Sequence, residues 1–187
     1  MRIIGGRHRG AKLADVAGKK TRPTADRVRE SIFNILAGGR YGSPLVNGIV
    51  LDLFAGTGAI GLEALSRGAA RANFVENDPA ALAIVRKNIH KLQRMDDCQV
   101  IAGDATRLVN WRGNPANLVF ADAPYGTGDG LRAVASLYAI GALLPESIAV
   151  IETGRQEELD PDILATTNLK RIESRHYGKA AVHFLTS

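Results

Sequence analysis

One segment limits the architecture more than any other. Ile49-Val-Leu-Asp-Leu-Phe54 is a short apolar run, and Ala-Gly56-Thr-Gly58-Ala-Ile-Gly61 follows it at once. A run of this kind reads as a buried strand, and G-x-G-x-x-G between a strand and a helix is the turn of a β-α unit. Its glycines permit a tight turn, close approach of a ligand to backbone, and close helix packing. The alternation then continues. Strands are expected at Asn73–Glu76, Gln99–Ala102, Leu118–Ala121 and Ile148–Glu152. Helices are expected from Ala59 to Arg67, closed by Gly68, and from Gly130 to Leu144. Another is capped by Asp78 with Pro79 at its first position, with Leu82, Val85, Ile89 and Leu92 along one face. The chain ends differently, because Lys170–Ser174 and Ala180–Leu185 are separated only by Arg175-His-Tyr-Gly178. That link is too short for a parallel crossover, so the last two strands form a hairpin. The expected fold is α/β: a doubly wound, mostly parallel, seven-stranded Rossmann-like sheet with a terminal antiparallel hairpin. All 187 residues make one domain, with residues 1–45 as a basic extension and helix.

The extension is where the charge lies. Net charge is +7 over residues 1–40 and −2 over the remainder, within a total of +5. A basic arm on a mildly acidic body suits a polyanionic partner; a solvated tail is the competing reading. The stretch Arg2-Ile-Ile-Gly-Gly-Arg-His-Arg-Gly10 with Lys12-Leu13 reads as two short strands or a loop broken by glycines. A helix follows, capped at Thr24, with Asp26 in its first turn and Val28, Ile32, Ile35 and Leu36 at helical spacing until Gly38-Gly39. Other classes are disfavoured. The longest nearly apolar run, Ala133–Leu144, falls short of the roughly 20 residues that span a bilayer. No secretory leader opens the chain, and Cys98 and the scattered histidines offer neither a disulfide framework nor a metal site. A reducing cytoplasm and no membrane contact are expected.

Acids after the strands carry the candidate chemistry. Asp52 lies four residues before Gly56, where a carboxylate can reach a ligand ammonium. Glu76 ends the next strand and can accept from two ribose hydroxyls; an acid merely exposed to water is the alternative. Asp104, after Gly103, is either an acceptor for an adenine amino group or a turn residue. Asp122-Ala-Pro-Tyr125 places a carboxylate, a fixed carbonyl and an aromatic ring within four residues. Two acceptors suit a group with two N–H donors, and the ring offers a stacking face for a base. A Pro-Tyr turn packed on the core is the plainer reading.

Asp-x-Phe-x-Gly-x-Gly followed by Asp-x-Pro-Tyr resembles the S-adenosylmethionine-dependent amino-group methyltransferases. More narrowly, Arg2-Ile-Ile-Gly-Gly, Arg9-Gly10, Thr21-Arg-Pro-Thr, Asp26-Arg-Val-Arg-Glu30 and Phe33-Asn34 resemble the bacterial small-subunit ribosomal RNA guanine-N2 methyltransferase D family. Leu51-Asp-Leu-Phe-Ala-Gly, Leu62-Glu-Ala-Leu-Ser-Arg-Gly-Ala69 and Tyr177-Gly178 extend the likeness over nearly the whole chain. Ala123 stands where the family pattern has a first proline; the acceptor there is a backbone carbonyl, which alanine keeps.

The resemblance implies a class I methyltransferase that moves a methyl group from S-adenosylmethionine to the exocyclic amine of a guanine in small-subunit (16S) ribosomal RNA. It implies a cofactor site at Asp52, Phe54, Gly56, Gly58, Glu76, Asn77, Asp104 and Ala105. Asp122, Ala123, Pro124 and Tyr125 form the implied catalytic group, with Asp122 and the Ala123 carbonyl accepting from the amine and Tyr125 stacking on the base. Arg2, Arg7, Arg9, Lys12, Arg22 and Arg27 are the implied RNA contacts. The expected partner is the RNA or a partly assembled small ribosomal subunit, met by a monomer. Amino methyltransferases of DNA adenine or protein glutamine share the Asp122 motif but not the N-terminal block. A non-catalytic RNA-binding relative and a nicotinamide dehydrogenase are the readings from other classes.

Overall fold

The computed structural model describes residues 1–16 and 23–186. Arg22, expected to touch RNA, and the Thr24 side chain, expected at a helix cap, lie outside the described set. The elements run α1 (Pro23–Ala37), β1 (Ile49–Leu53), α2 (Ala59–Ser66), β2 (Arg71–Glu76), α3 (Pro79–Lys91), β3 (Cys98–Ala102), β4 (Ala116–Asp122), α4 (Asp129–Ala139), β5 (Leu143–Gly154), α5 (Pro161–Thr167), β6 (Lys170–Tyr177) and β7 (Ala180–Thr186). Short 3-10 turns at Met95–Asp97 and Ala105–Arg107 precede and follow β3. One sheet of seven strands has the order β3-β2-β1-β4-β5-β7-β6. Its first five strands are parallel; β7 runs antiparallel to β5 and β6 on either side of it. The doubly wound sheet with a terminal hairpin is the one the β-α alternation predicts.

Side chains alternate across the sheet because successive strand residues point to opposite faces. Val50, Phe74, Leu118, Phe120, Val150 and Phe184 face α1, α2 and α3. Leu51, Leu53, Val75, Val119, Ala121, Ile151 and Leu185 face the other way, toward α4 and α5. Asp78 caps α3 by accepting from the Ala80 and Ala81 N–H groups at 2.7 and 3.4 Å, with Pro79 at the first position. Gly61 lets α2 lie against β2, since a Cβ there would sit 2.4 Å from the Phe74 ring.

Three departures from the sequence reading are the largest. The helix expected to reach Leu144 ends at Ala139, and Leu143 already belongs to β5. Gly141, at φ 71°, turns the chain between them; a continuous apolar run has no period that separates helix from buried strand. The hairpin turns at Gly178 and Lys179, not over four residues, so β6 extends to Tyr177. The α5 helix was not anticipated, although Asp160 caps it on the Asp162 N–H and Pro161 opens it.

The N-terminal arm is a docked loop, with one antiparallel bridge between Arg2 and Lys12. Ile3 and Leu13 are buried, so residues 1–16 are not a solvated tail. Glu63, wholly buried on α2, holds the arm by accepting from the Ile4 and Gly5 N–H groups at 2.7 and 2.8 Å. The same carboxylate pairs with Arg67 Nε at 2.7 Å. Removing it strands two half-buried donors and a guanidinium, so Glu63→Ala should cost about 3 kcal/mol of stability. Denaturant unfolding and limited proteolysis within residues 1–16 check this. Wild-type stability with an intact arm would show that the clamp is dispensable.

Candidate active site

Strand parity builds the site. Glu76 ends β2, Asp122 ends β4, Asp52 is the penultimate residue of β1, and Glu152 pairs with Asp122 across β4 and β5. Each follows by two a residue that faces α1–α3 (Val50, Phe74, Phe120, Val150), so all four carboxylates turn toward that face. The turn out of β1 is forced at Phe54, whose φ of 58° is left-handed, a conformation costing about 1–3 kcal/mol outside glycine. Gly56 follows at φ 56°, and a Cβ there would meet nothing closer than 3.9 Å, which leaves its crevice side open.

Two hollows that share Phe54, Gly56, Asp122 and Glu152 in their walls result. The larger, about 830 Å³, is walled by Phe54, Gly56, Glu76, Asn77, Asp104, Asp122, Ala123, Pro124 and Tyr125 among others. The smaller, about 280 Å³, continues past Phe54, Gly56, Asp122 and Glu152 to Asp52, Arg29, Thr57, Ile32 and Met1. Volumes of this order hold a nucleoside-sized ligand. Most of the expected cofactor residues thus meet in one crevice. Gly58 and Ala105 do not stand on its wall: Ala105 is buried in the core toward α4, and Gly58 packs where a Cβ would strike Val85 at 2.4 Å.

The acids differ in what they already hold. Glu76 Oε1 accepts from the Asn77 and Asp78 N–H groups at 2.8 and 2.9 Å, and Oε2 accepts from Gly56 at 2.7 Å. A carboxylate offers about four acceptor positions, so Glu76 ties the glycine loop to β2 and keeps one position open. Asp104 Oδ1 accepts from the Thr106 N–H and hydroxyl at 2.9 and 2.7 Å, and these bonds hold its carboxyl below the usual range. It is a turn residue whose other oxygen borders the crevice beside Arg107. Asp52 is buried, with Oδ2 accepting from the Gly61 N–H at 2.9 Å. Burial pushes its carboxyl up to about 8, with the charges of Asp122 and Glu76 adding to the shift, against the Gly61 bond and Arg29. Asp122 lies on the floor of the crevice, open to water yet crowded by protein atoms. That crowding, then Glu152, raises its proton affinity; water access tempers the shift.

Tyr125 is half exposed, and its hydroxyl donates to Glu152 Oε1 at 2.6 Å. The loop after Ala123 is fixed by Glu157, which accepts from the Gly126 and Gly154 N–H groups at 2.7 and 3.1 Å. Burial alone would raise Glu157, but these donors and the Gly128 N–H outweigh it and hold the carboxyl low. Ala123 is buried, so the alanine in place of a proline leaves a loop still pinned at both ends. Sequence reasoning did not assign Glu152, Glu157 or Arg29 to the site. Glu152 was readable as a fourth acid at a strand end; Glu157 and Arg29 meet the crevice only through tertiary packing.

Of the expected RNA contacts, Arg2, Arg7, Arg9, Lys12 and Arg27 are exposed. They are spread out. The Arg7 N–H donates to the Ser66 carbonyl at 2.7 Å, at the end of α2 remote from the glycine loop, whereas Met1 reaches the crevice itself.

Asp52 also sets a pH dependence. It holds a proton up to about 8 when folded and only to 3.8 at its ordinary value. The folded state therefore binds the extra proton between these limits, and stability falls as pH rises through that window. Asp52→Asn keeps an oxygen for the Gly61 N–H and removes the titration. Its unfolding free energy, measured against denaturant, should fall less than that of wild type from about pH 5 to about pH 8. Equal slopes would mean that Asp52 ionises as an exposed carboxyl does.

The family model described as conserved hypothetical protein 95 matches residues 1–186. Ribosomal RNA small subunit methyltransferase D of Escherichia coli K12 is 38% identical over 171 residues, 91% of this chain and 83% of that protein. The Haemophilus influenzae protein of the same name is 32% identical over 162 residues, 85% of this chain and 81% of that one. The solved structure of yhhF from Escherichia coli superposes with a TM-score of 0.83 at 35% identity, covering 100% of this chain and 97% of the other. With matches of this extent and an Asp-Ala-Pro-Tyr loop set beside a glycine turn, the chain belongs to the ribosomal RNA small subunit methyltransferase D family.

Proposed function

We propose that the chain methylates the exocyclic N2 amine of a guanine in small-subunit ribosomal RNA, using S-adenosylmethionine. The observation that carries this reading is the set of four carboxylates on one face of the crevice, two of them beside the glycine turn and two beside Tyr125. Such a site favours a ligand with cationic groups and a substrate rich in N–H donors. The residues fit the cofactor: Gly56 leaves open space for a nucleoside, Glu76 keeps one acceptor for a ribose hydroxyl, and Asp52 Oδ1 carries no hydrogen bond among the described residues. S-adenosylmethionine supplies a methyl group on a sulfonium that departs as a neutral thioether.

The remaining work falls to the chain. The N2 amine is a weak nucleophile because its lone pair is delocalised into the ring. Asp122 and the Ala123 carbonyl accept from its two N–H groups, fixing the amine and drawing its lone pair toward the reacting methyl. As the new bond forms, the amine sheds a proton, and Asp122 is placed to receive it, its proton affinity raised by its surroundings and by Glu152. Tyr125, braced by Glu152, presents its ring to the base. Orientation and fixed charge account for the acceleration, with no covalent intermediate. The guanine must leave its stack to reach Asp122, at a cost of about a few kcal/mol. The basic arm holds the RNA backbone meanwhile.

Labelled S-adenosylmethionine, incubated with bare ribosomal RNA or with small subunits, should yield N2-methylguanosine on nucleoside digestion. Label in DNA adenine or protein glutamine, and none in RNA, would overturn the reading. Asp122→Ala should abolish methylation and leave binding of S-adenosylhomocysteine within a few-fold of wild type. Joint loss of both would make Asp122 a cofactor residue instead. Arg7→Ala with Arg9→Ala should weaken RNA binding and flatten its salt dependence by about one to two units of slope, for one or two lost phosphate contacts. Identical salt slopes would remove those arginines from the RNA interface.

A further inference from the structure

A hollow at the opposite edge of the sheet has no part in the reaction as described. Asn47 precedes β1, Gly68 precedes β2 and Arg94 precedes β3, and with Arg7 and His8 of the arm they wall a space of about 410 Å³. It therefore opens at the amino edge of the parallel strands, whereas the crevice lies at their carboxyl edge. The six residues of β2, at about 3.3 Å each, set the two about 20 Å apart. Backbone contacts hold the cationic residues of the arm in place. The Arg7 N–H donates to the Ser66 carbonyl at 2.7 Å, and the His8 N–H donates to Ser66 Oγ at 2.9 Å. Gly6 permits this approach, since a Cβ there would sit 1.9 Å from the Ser66 carbonyl oxygen. Arg94 has 12% of its side chain exposed, and its Nε donates to Asp97 at 2.6 Å. Its Nη groups make no hydrogen bond among the described residues.

His8 Nε2 is buried with no hydrogen-bond partner among the described residues, an arrangement that is costly until something meets it. Burial, then the charges of Arg94 and Arg7, lower its proton affinity, so the neutral ring offers one N–H. Asp97 is the one acid in this wall among the described residues, and its bond to Arg94 leaves Arg7 unmatched. An anion with several oxygens can accept from all three groups at once. We propose that this hollow binds a phosphodiester group of the RNA, with Arg7, Arg94 and His8 Nε2 as its donors. This rests on the reading that RNA is the substrate, and adds to the charge of the arm a defined pocket with two further residues. The RNA then meets both edges of the sheet, so a strand that reaches around the arm is held better than the target nucleotide alone. A small free anion has the same chemistry and is one competing occupant. The other account leaves the hollow unused, with Arg94 and Asp97 only stapling the turn before β3.

Side-chain NMR of histidine-labelled wild type separates these accounts, the His8 signals being those that His8→Gln removes. A fragment of small-subunit ribosomal RNA should move them, and S-adenosylhomocysteine should not. Signals unmoved by saturating RNA would overturn the proposal. Inorganic phosphate that moves them where RNA does not would make the hollow a small-anion site and overturn it too. Arg94→Gln should lower RNA affinity by a factor about threefold larger at about 50 mM salt than at about 200 mM, as one lost phosphate contact gives. Its affinity for S-adenosylhomocysteine should equal that of wild type, because the crevice is remote. Wild-type RNA affinity at both salt concentrations in a folded Arg94→Gln protein would also overturn the proposal. RNA that does not bind wild type at all would instead refute the substrate reading on which the proposal stands.

Discussion

Parallel pairing of β1, β2, β4 and β5 is the constraint on which the site depends. Parallel strands bring all their carboxyl ends to one edge of the sheet, where ligands of open α/β sheets bind. Period-two alternation then decides which face each terminal side chain takes. Because Val50, Phe74, Phe120 and Val150 all face α1–α3, so must Asp52, Glu76, Asp122 and Glu152. A one-residue slip in any pairing would turn an acid to the other face. Four carboxylates converge without any of them being placed by a flexible loop.

Convergence of like charges is unfavourable in itself, and the surroundings answer it in three ways. Backbone N–H groups of the glycine turn and of α2 donate to one oxygen each of Glu76 and Asp52. Burial, with the charges of Asp122 and Glu76, raises the proton affinity of Asp52, and crowding, with Glu152, raises that of the water-exposed Asp122. Arg29 brings a positive charge from outside the sheet. The glycine turn is thereby tied to β2 before any ligand binds, which limits the ordering cost of binding. The N-terminal arm takes part through the same chemistry, since Glu63 fastens its backbone to α2 and the Arg2 carbonyl fastens Arg29.

Much of this was legible in the sequence, and for identifiable reasons. Strands followed by glycine or an acid announced the crevice, and the register confirms the placement of Asp52, Glu76 and Asp122 along it. Asp78 and Pro79 marked the start of α3 by capping chemistry alone. Long-range packing was not legible. Nothing in the spacing of Arg29 on α1 sets it apart from its charged neighbours, yet it is buried, with Nη2 donating to the Arg2 carbonyl of the arm. Gly58 belongs to a nucleotide-binding pattern, but here its missing side chain serves contact with Val85 and Phe74. Glu157 lies in a polar stretch with no periodicity, and only the folded chain brings it to Gly126 and Gly154. The end of α4 was missed because an apolar run of that composition fits a buried strand equally well.

If the strand-end acids hold a sulfonium nucleoside across both hollows, its departing methyl points at the amine held by Asp122. A crystal structure with S-adenosylhomocysteine tests it most directly. A ribose hydroxyl hydrogen-bonded to Glu76, the ammonium on Asp52, and the sulfur facing the open side of Asp122 and Tyr125 are expected. A nucleoside bound away from Glu76, or a sulfur turned from Asp122, would contradict it.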